Sequence, residues 1–527
     1  MIRVRQVKIR IENDNESEWF SKISKKLRIQ PKEIETYEII KKSIDARDKD
    51  NIYFVYEFNV KTHNEDRVLK HVKSIDVFKV SSSSYCFRVT GEKTLTNRIV
   101  IVGSGPAGLF CAYFLAEAGY RPIILERGEK MEDRIKTVEE FFSTNKLNVN
   151  SNIQFGEGGA GTFSDGKLNT LVKDKAFRGK RIFEILVENG APKEILYLAN
   201  PHVGTDLLRK VIVNIRNKII SMGGEFYYSS ILTDIIVSNN ELKEIEINYA
   251  KKIPCEVLVL ALGHSARDTF SMLYNRGVLM NAKSFAVGIR IMHPQKMISE
   301  SQYGKKYKLL PPANYKLTYQ ASNGRGVYSF CMCPGGFVVN ASSEKGRIAI
   351  NGMSNYKRDS ETANSAIVVT VMKEDFGEGV FAGVQFQREL EAKAYSVGMG
   401  NIPVQLYKDF VMKKKSESFG DFSPNVKGNY NFADLNELFP NTILKSLKEA
   451  IPYFGTKIKG FDRDDAILFG VESRTSSPII MKRDEMGVSN ILGIYPCGEG
   501  AGYAGGITTA AIDGVKTAEK IAKRYKF

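Results

Sequence analysis

Hydrophobic and polar positions near the N-terminus follow first a strand pattern and then a helix pattern. Apolar residues mostly alternate over residues 2–11 and recur at helical spacing over residues 17–27. Residues 36–40 and 52–60 are rich in aromatic and β-branched side chains, which favour strands, and residues 65–72 indicate a second short helix. This order predicts a small ferredoxin-like α+β unit.

A polar stretch then leads into a strand, a glycine-rich turn and a helix. The four serines at 81–84 predict a loop. Residues 99–102 are all apolar and predict a buried strand, Gly103-Ser104-Gly105-Pro106-Ala107-Gly108 follows directly, and residues 109–118 predict a helix. A second apolar strand at 122–125 ends in an acidic and a basic residue.

This unit has the spacing of a dinucleotide-binding loop. Gly103 permits the tight turn, Gly105 lets a pyrophosphate approach the backbone, and Gly108 lets helix and strand pack closely. The helix N-terminus offers free N–H groups and a partial positive charge to phosphate. Glu126 stands where a carboxylate can accept hydrogen bonds from ribose hydroxyls. The predicted nucleotide contacts are Gly103, Ser104, Gly105, Pro106, Ala107, Gly108, Glu126 and Arg127.

Further elements follow on both sides of a long mixed region. Residues 205–222 predict a helix, and residues 225–228 and 257–261 predict strands. Residues 385–397 indicate a helix within the mixed region. Residues 466–527 return to short strands, a glycine-rich turn and a final helix.

The segment IYPCGEGAGYAGG at 494–506 precedes that final helix and resembles the C-terminal flavin segment of the glutathione-reductase-like FAD superfamily. There, an acidic residue after glycine binds the ribityl chain, and a helix N-terminus faces the isoalloxazine ring. A positive helix end beside the ring would favour the reduced, anionic flavin. Leu262-Gly263-His264 resembles the superfamily's ATG-type motif. The FAD contacts that these resemblances imply are Gly263, Gly498, Glu499, Gly506, Ile507 and Thr508.

Three more motifs narrow the family. They are QFGEGGAGTFSDGKL at 154–168, CMCPGG at 331–336 and GVESRTSSP at 470–478. With the C-terminal segment, they resemble the bacterial family of uncharacterised FAD-dependent dehydrogenases over nearly the whole chain. The resemblance implies bound FAD, a two-domain flavoprotein fold and oxidoreductase activity, and it supplies no substrate.

The glycines of the 154–168 motif allow backbone to lie close to a flat cofactor. We predict flavin or phosphate contacts from Gly159, Ala160, Thr162 and Ser164. The alternative is a structural loop, in which Asp165 and Lys167 pair with each other.

Together the patterns predict an α/β fold with three parts. They are a Rossmann-like FAD-binding domain of the glutathione-reductase type, a mixed α+β substrate domain and a small N-terminal ferredoxin-like α+β domain. The expected bounds are 1–95 for the N-terminal domain, 96–284 and 466–527 for the two parts of the FAD-binding domain, and 285–465 for the substrate domain.

Composition narrows the class of protein. The chain has 527 residues, 43% hydrophobic and 26% charged, as expected for a soluble protein of two or three domains. The sequence contains neither a membrane span nor a signal peptide, so we expect a cytoplasmic location. Six scattered cysteines form no disulfide framework, and we expect no metal site. The net charge of +16 favours anionic partners or is simply a lysine-rich surface.

Two side chains are candidates for catalysis. Cys333 lies in the Cys331-Met332-Cys333 run, where a redox pair and two small buried side chains are both open interpretations. Arg474 could bind a carboxylate or phosphate bidentately, or could form a structural ion pair with Glu472 or another acid.

The electron donor is left open by the sequence. No second strand–GxGxxG–helix unit occurs, so NAD(P)H would dock directly on the flavin, and an acidic ferredoxin would suit the basic surface. We expect a dehydrogenase or reductase acting on a small molecule. A flavin-dependent monooxygenase, a flavin-dependent RNA-modifying enzyme and a non-catalytic flavin scaffold are alternatives, although the sequence contains no RNA-binding motif.

Overall fold

The computed structural model describes residues 1–81, 84–170 and 172–527. Ser82 and Ser83, in the loop predicted at 81–84, lie outside these ranges. The strands are β1 (Ile2–Arg10), β2 (Ile34–Asp45), β3 (Tyr53–Thr62), β4 (Val77–Lys79), β5 (Lys93–Thr94), β6 (Val100–Val102), β7 (Ile123–Leu125), β8 (Glu225–Tyr227), β9 (Leu232–Ser238), β10 (Glu241–Ile247), β11 (Lys251–Pro254), β12 (Leu258–Leu260), β13 (Met280–Ala282), β14 (Phe285–Pro294), β15 (Thr318–Gln320), β16 (Gly326–Cys333), β17 (Phe337–Asn340), β18 (Ile350–Met353), β19 (Thr362–Val371), β20 (Ile402–Leu406), β21 (Val426–Lys427), β22 (Tyr430–Phe432), β23 (Ile467–Glu472), β24 (Ile479–Met481), β25 (Ile494–Pro496) and β26 (Tyr525–Lys526).

The helices include those predicted at 17–27, 65–72, 205–222 and 385–397, each close to its expected bounds. They are α1 (Glu16–Leu27), α2 (Glu65–His71), α3 (Pro106–Glu117), α4 (Met131–Thr144), α5 (Arg178–Glu188), α6 (Thr205–Ser221), α7 (Arg267–Asn275), α8 (Gln295–Tyr303), α9 (Lys373–Phe376), α10 (Ala382–Val397), α11 (Tyr407–Met412), α12 (Asn441–Lys457) and α13 (Ile507–Arg524). In the described residues, no helix combines the length and the apolar character needed to cross a bilayer.

The N-terminal sheet has the strand order β2-β3-β1-β4, and all its pairs are antiparallel. The alternation predicted for residues 2–11 is confirmed, with one irregularity. Ile2 and Val4 are buried at even positions, whereas Val7 and Ile9 are buried at odd positions. A break in register between Val4 and Val7 explains the switch, because an extra residue in one strand moves the following side chains to the other face.

A five-stranded parallel sheet of order β25-β12-β6-β7-β8 forms the part of the fold for which the sequence predicts nucleotide binding. Its central strands are buried on both faces, which is why they are uniformly apolar. The predicted strand–glycine loop–helix unit is confirmed. Helix α3 begins at Pro106 rather than at residue 109, since proline is favoured in the first turn, where its missing N–H costs nothing.

Helices α3 and α13 pack against each other beside this sheet. The α-carbon of Gly514 lies so close to α3 that a Cβ there would stand 2.1 Å from the carbonyl oxygen of Ala107. Gly108 meets the carbonyl oxygen of Gly103 in the same way, at 1.9 Å. The backbones therefore touch, and α13, from the C-terminus, is fixed against the helix that follows the glycine loop.

The second large sheet is seven-stranded, with the order β15-β16-β19-β14-β23-β20-β22. Strand β14 lies at its centre between β19 and β23, and residues 285–293 are all buried. Strand β23 belongs to this sheet although it lies beyond residue 465, where the sequence suggested a return to the nucleotide-binding part. Burial on both faces makes β23 as apolar as the parallel strands, so its pattern does not distinguish the two sheets.

We expect Gly514→Ala to lower the free energy of unfolding by about 1–3 kcal/mol, because the added methyl must push α13 away from α3. Gly179→Ala is the matched control. Gly179 is also helical, and its added Cβ would meet only ordinary contacts, at 3.6 Å or beyond, so its stability should change by no more than about 0.5 kcal/mol. Urea denaturation of both variants measures the difference. Equal midpoints would contradict the close packing of the two helices.

Candidate functional site

One open cavity connects the parallel sheet with the seven-stranded sheet. Val102 and Ala261 line it where β6 and β12 end, which is where open parallel sheets bind ligands. The opposite wall includes Cys331 and Glu472 from the seven-stranded sheet. The site is therefore built by two sheets, and neither encloses it alone.

Two helix N-termini open onto this cavity. Helix α3 begins after Gly105 and α13 begins after Gly506, and neither N-cap residue forms a side-chain hydrogen bond to its helix. Gly105 and Gly506 both line the cavity, as do Pro106 and Ile507. Because uncapped N–H groups and the helix dipole attract negative charge, both helix ends are suited to anionic groups of one ligand.

A buried arginine holds the glycine-rich loop that forms one side of the cavity. Arg134 on α4 is fully buried, and its guanidinium donates to the carbonyl oxygens of Asn152, Ile153 and Gly156 at 2.9–3.2 Å. It also donates to those of Glu157 at 2.6 Å and Gly159 at 3.0 Å. Burial lowers its pKa to about 9, so it remains charged at neutral pH.

Gly156 gives Arg134 room to reach these carbonyls. A Cβ at Gly156 would lie 2.3 Å from the Cδ of Arg134, and the residue has φ +120°. On the cavity side, a Cβ at Gly159 would lie 3.0 Å from the Cα of Gly105. The loop thus contacts α4 through one glycine and approaches the α3 turn through another.

The carboxylate of Glu126 forms part of the cavity wall. It is buried and accepts from the backbone N–H groups of Ser104, Gly128 and Gly156, each at 2.9 Å. The Ser104 hydroxyl also donates to it, at 2.7 Å. A ribose hydroxyl binding Glu126 would therefore replace the Ser104 hydroxyl, the one donor of the four that can rotate away.

Arg127, the residue after Glu126, is fixed at the cavity wall by two contacts. Its guanidinium pairs bidentately with Asp268, at 2.9 and 2.5 Å, and lies 4.5 Å from the ring centre of Phe155. Its planar face is therefore positioned at the wall of the cavity, near the end formed by Glu126.

Glu499 lies on the cavity wall near Lys283. Burial raises its pKa to about 7, against the opposing effect of the Lys283 ammonium. His264, also on the wall, has its pKa lowered to about 3 by burial and is neutral, with Nδ1 2.9 Å from the Ser265 hydroxyl. The cavity wall thus includes one carboxyl group that changes charge near neutral pH and one imidazole that does not.

Arg474, a predicted catalytic residue, lines the cavity but is held by protein groups. Its Nε and Nη2 donate to the two oxygens of Glu391, each at 2.9 Å, and Nη1 donates to Ser265 and Ser343. Glu391 also pairs with Arg267 at 3.0 Å, and the two guanidinium groups hold the pKa of this fully buried carboxyl well below its usual range. The partner is Glu391 rather than Glu472, which pairs with Arg290 at 3.0 Å.

The predicted site residues fall into two groups. Those that line the cavity are Gly103, Gly105, Pro106, Ala107, Glu126, Arg127, Gly159, Ala160, Ser164, Gly263, Arg474, Glu499, Gly506 and Ile507. Those that support it from behind are Ser104, Gly108, Thr162, Cys333, Gly498 and Thr508. For example, the hydroxyl of Thr508 donates to the carbonyl of Leu168 at 2.7 Å. Among the described residues, no cluster of three or more potential metal ligands occurs.

Three residues that the sequence reasoning did not assign are central to the geometry. Arg134 lies in an ordinary amphipathic helix, where nothing distinguishes it from a surface arginine. Glu391 lies in helix α10, and its buried position becomes visible only once the helix is packed. Cys331, rather than Cys333, faces the cavity, because the strand is irregular at that point.

Comparison with known proteins places the chain. Residues 284–475 match the family described as "FAD-dependent protein, C-terminal domain-like", residues 101–145 match "NAD(P)-binding Rossmann-like domain", and residues 1–61 match a domain of unknown function. An "Uncharacterized protein" of Clostridium beijerinckii (strain ATCC 51743 / NCIMB 8052) is 46% identical over 532 residues, covering 99% of each chain. The chain belongs to this bacterial family of FAD-dependent proteins.

Other known proteins show weaker similarity to the chain. The thiamine thiazole synthase of Aeropyrum pernix is 26% identical over 206 residues, covering 36% of this chain and 63% of that protein. The crystal structure of L-proline dehydrogenase from P. horikoshii has 13% identity and a TM-score of 0.35, covering 82% of this chain and 94% of that one. Similarity at this level carries no argument about function.

Membership of the family confirms three of the predictions made from sequence: the family itself, FAD as cofactor and the oxidoreductase class. The overall fold, a mixed α/β fold with a Rossmann-like domain, is confirmed as well. The residues present fit the cofactor. The two uncapped helix ends suit a diphosphate and an electron-rich ring, and the close approach of Gly105 and Gly159 leaves backbone rather than side chains along the cavity.

We expect Arg134→Lys to weaken FAD binding at least about tenfold, because an ammonium cannot reach all the carbonyls that the guanidinium satisfies and the loop loses its conformation. Fluorescence titration of the FAD-depleted protein measures the affinity. Arg47→Lys is the control, since Arg47 is 85% exposed and pairs with Asp45 in the N-terminal sheet. An unchanged affinity in Arg134→Lys would show that the loop does not depend on this side chain.

We expect Glu499→Gln to melt at a higher temperature than the wild type at pH about 7 and above, and at the same temperature near pH 4.5. A carboxyl whose folded pKa is raised to about 7 stabilises the fold below its unfolded pKa and loses that contribution as pH rises through about 7. Thermal scans of the FAD-depleted proteins across this range measure the difference. Glu485→Gln, at an exposed position, should follow the wild type throughout.

Proposed function

We propose that this oxidoreductase is a dehydrogenase or reductase whose small-molecule substrate binds between the flavin ring and the seven-stranded sheet. One observation carries the proposal. The two uncapped helix N-termini at Gly105 and Gly506 face a single cavity, and its remaining wall, including Phe330, Cys331 and Glu472, comes from the second sheet. When bound, FAD supplies two-electron transfer.

Different residues of the cavity would bind different parts of FAD. Amide groups at the start of α3 would hold the diphosphate, and Glu126 would hold the ribose. The backbone from Gly506 to Thr508 would face the ring, with Glu499 at the ribityl chain. These assignments, and those for Gly159, Ala160, Thr162 and Ser164, follow the sequence motifs, and the cavity supports them.

The wall opposite the helix ends offers one free amide group to a substrate. The Oδ1 of Asn351 accepts from the Nη2 of Arg290 at 3.2 Å and from the N–H of Gly352 at 2.8 Å. Its Nδ2 has no acceptor among the described residues, and Asn351 lines the cavity. With Oδ1 occupied, the NH₂ group is held in place as a donor to a substrate oxygen.

Arg474, which the sequence suggested as a catalytic residue, has a positioning role in this proposal. Glu391 and two serine hydroxyls fix its guanidinium. Burial raises the pKa of Glu499, on the cavity wall, to about 7, a value that suits proton exchange near neutral pH.

Two kinds of electron donor are compatible with the chain. NAD(P)H would have to dock transiently on the flavin face, since the one strand–GxGxxG–helix unit is assigned to FAD. A reduced ferredoxin, an acidic protein, would be attracted by the net charge of +16.

Several finer features belong to this proposal. The parallel sheet with a C-terminal flavin segment favours the glutathione-reductase type, and the order β2-β3-β1-β4 favours a ferredoxin-like N-terminal domain. We propose divisions at residues 95 and 284 and a last division after β23 rather than at 465, because β23 pairs within the seven-stranded sheet. The cytoplasm is the proposed location.

We expect the FAD-loaded protein to be reduced anaerobically by at least one of NADH, NADPH and reduced ferredoxin, as followed by loss of the flavin absorbance. If ferredoxin is the donor, its rate should fall steeply with added salt, because charge steers the encounter, whereas salt should affect the nicotinamide rates much less.

The outcome also separates the alternative functions. Bound flavin that none of the three donors reduces would contradict the proposed activity and favour a non-catalytic scaffold. Rapid reoxidation by oxygen through a flavin hydroperoxide would favour a monooxygenase instead, and copurifying RNA would favour an RNA-modifying enzyme.

A further inference from the structure

Strand β16 loses its regular pairing where it reaches the cavity. It pairs with β19 through Phe330 and resumes at Cys333, with a break in register between them. Cys331 lies in this break and has φ +45°, in the left-handed region. As a result, Cys331 lines the same cavity as Gly105, Glu499 and Gly506.

Cys333 lies directly behind Cys331. Both thiols are free, and Cys333 is fully buried. The Sγ of Cys333 lies 3.3 Å from the carbonyl oxygen of Cys331. In a fully extended strand, the Cα atoms two residues apart would be about 6.6–7 Å apart, near the upper limit for a disulfide. The Cys333 thiol nonetheless lies within hydrogen-bonding distance of the Cys331 thiol.

The charges around the two thiols favour one thiolate beside one thiol. Arg290, whose Nη1 lies 3.1 Å from the carbonyl oxygen of Cys331, and Lys167 face them as cations. Glu472, Glu499 and Asp165 face them as acids. The hydrogen bond from the Cys333 thiol lowers the pKa of Cys331, and the same pairing together with burial raises that of Cys333.

We propose that Cys331 and Cys333 form a dithiol–disulfide couple that exchanges two electrons with the flavin. The inference rests on the proposed placement of FAD in the cavity. In the oxidising direction the Cys331 thiolate and the Cys333 thiol form one S–S bond, the one S–H bond breaks, and two electrons and one proton pass to the oxidised flavin. In the reverse direction, the reduced flavin returns them and restores the thiolate and the thiol.

The two cysteines have different roles in this couple. Cys331, on the cavity wall and with the lower pKa, is the sulfur that reacts with the flavin or with a small disulfide entering the cavity. Cys333, buried behind it, is the resolving thiol that closes the disulfide. The protein would then store four electrons, two on the flavin and two on the sulfurs.

Anaerobic titration with dithionite tests this on the FAD-loaded protein. We expect the air-oxidised wild type to take up four electrons per flavin, and Cys331→Ser and Cys333→Ser to take up two. Cys86→Ser, at an exposed cysteine outside the cavity, should still take up four. Flavin absorbance at the start of each titration verifies that the serine variants fold and bind FAD.

Mass spectrometry provides a readout independent of the flavin. Trypsin cleaves after Arg325 and Lys345, so one peptide carries both cysteines. In the oxidised protein we expect this peptide to lack two hydrogens and to resist alkylation, and after reduction we expect it to take up two labels. Two electrons per flavin in the wild type, with both thiols alkylated in the oxidised protein, would overturn the couple and leave the proposed function intact. A protein that binds no FAD would overturn both.

Discussion

The guanidinium of Arg134 gives the glycine-rich loop its conformation, and the cavity depends on that loop. A loop with so many glycines loses much conformational freedom on folding and has few side chains to anchor it. Arg134 compensates by donating to five backbone carbonyls at once, from a buried position that Gly156 leaves open. The loop can then present bare backbone at Gly159 to the turn at Gly105.

Glycines also bring the backbones of α3 and α13 into direct contact. Gly514 and Ala107 bring α13 against α3, while Gly108 brings α3 against the end of its own strand. The two helix N-termini are thus held in a fixed relation by backbone contact, although some four hundred residues separate them in sequence. A site for an elongated anionic cofactor requires such rigidity, because each helix end acts only over the first turn.

The sequence could predict a feature wherever a short run of residues is compatible with only one local structure. The run from residue 99 to Glu126 could be interpreted in full, because a turn, a close approach and a ribose contact each require a particular residue at a particular spacing. Arg134 and Glu391 could not be predicted, since their importance comes from partners distant in sequence. Strand β23 is apolar, as a buried strand of either the parallel or the seven-stranded sheet would be. Its hydrophobic pattern therefore could not show which of the two sheets it joins. The sequence favours Cys333 over Cys331 as the candidate residue, because the break in register that turns Cys331 towards the cavity cannot be recognised from alternation.

The chain enters and leaves the seven-stranded sheet through neighbouring strands. β14 begins this lobe and β23 ends its part of the sheet, and the two pair antiparallel with Gly288 opposite Glu472. The chain therefore passes between the parallel sheet and this lobe through two neighbouring strands. Substitutions elsewhere in the lobe can reshape its wall of the cavity while these two chain connections stay as they are.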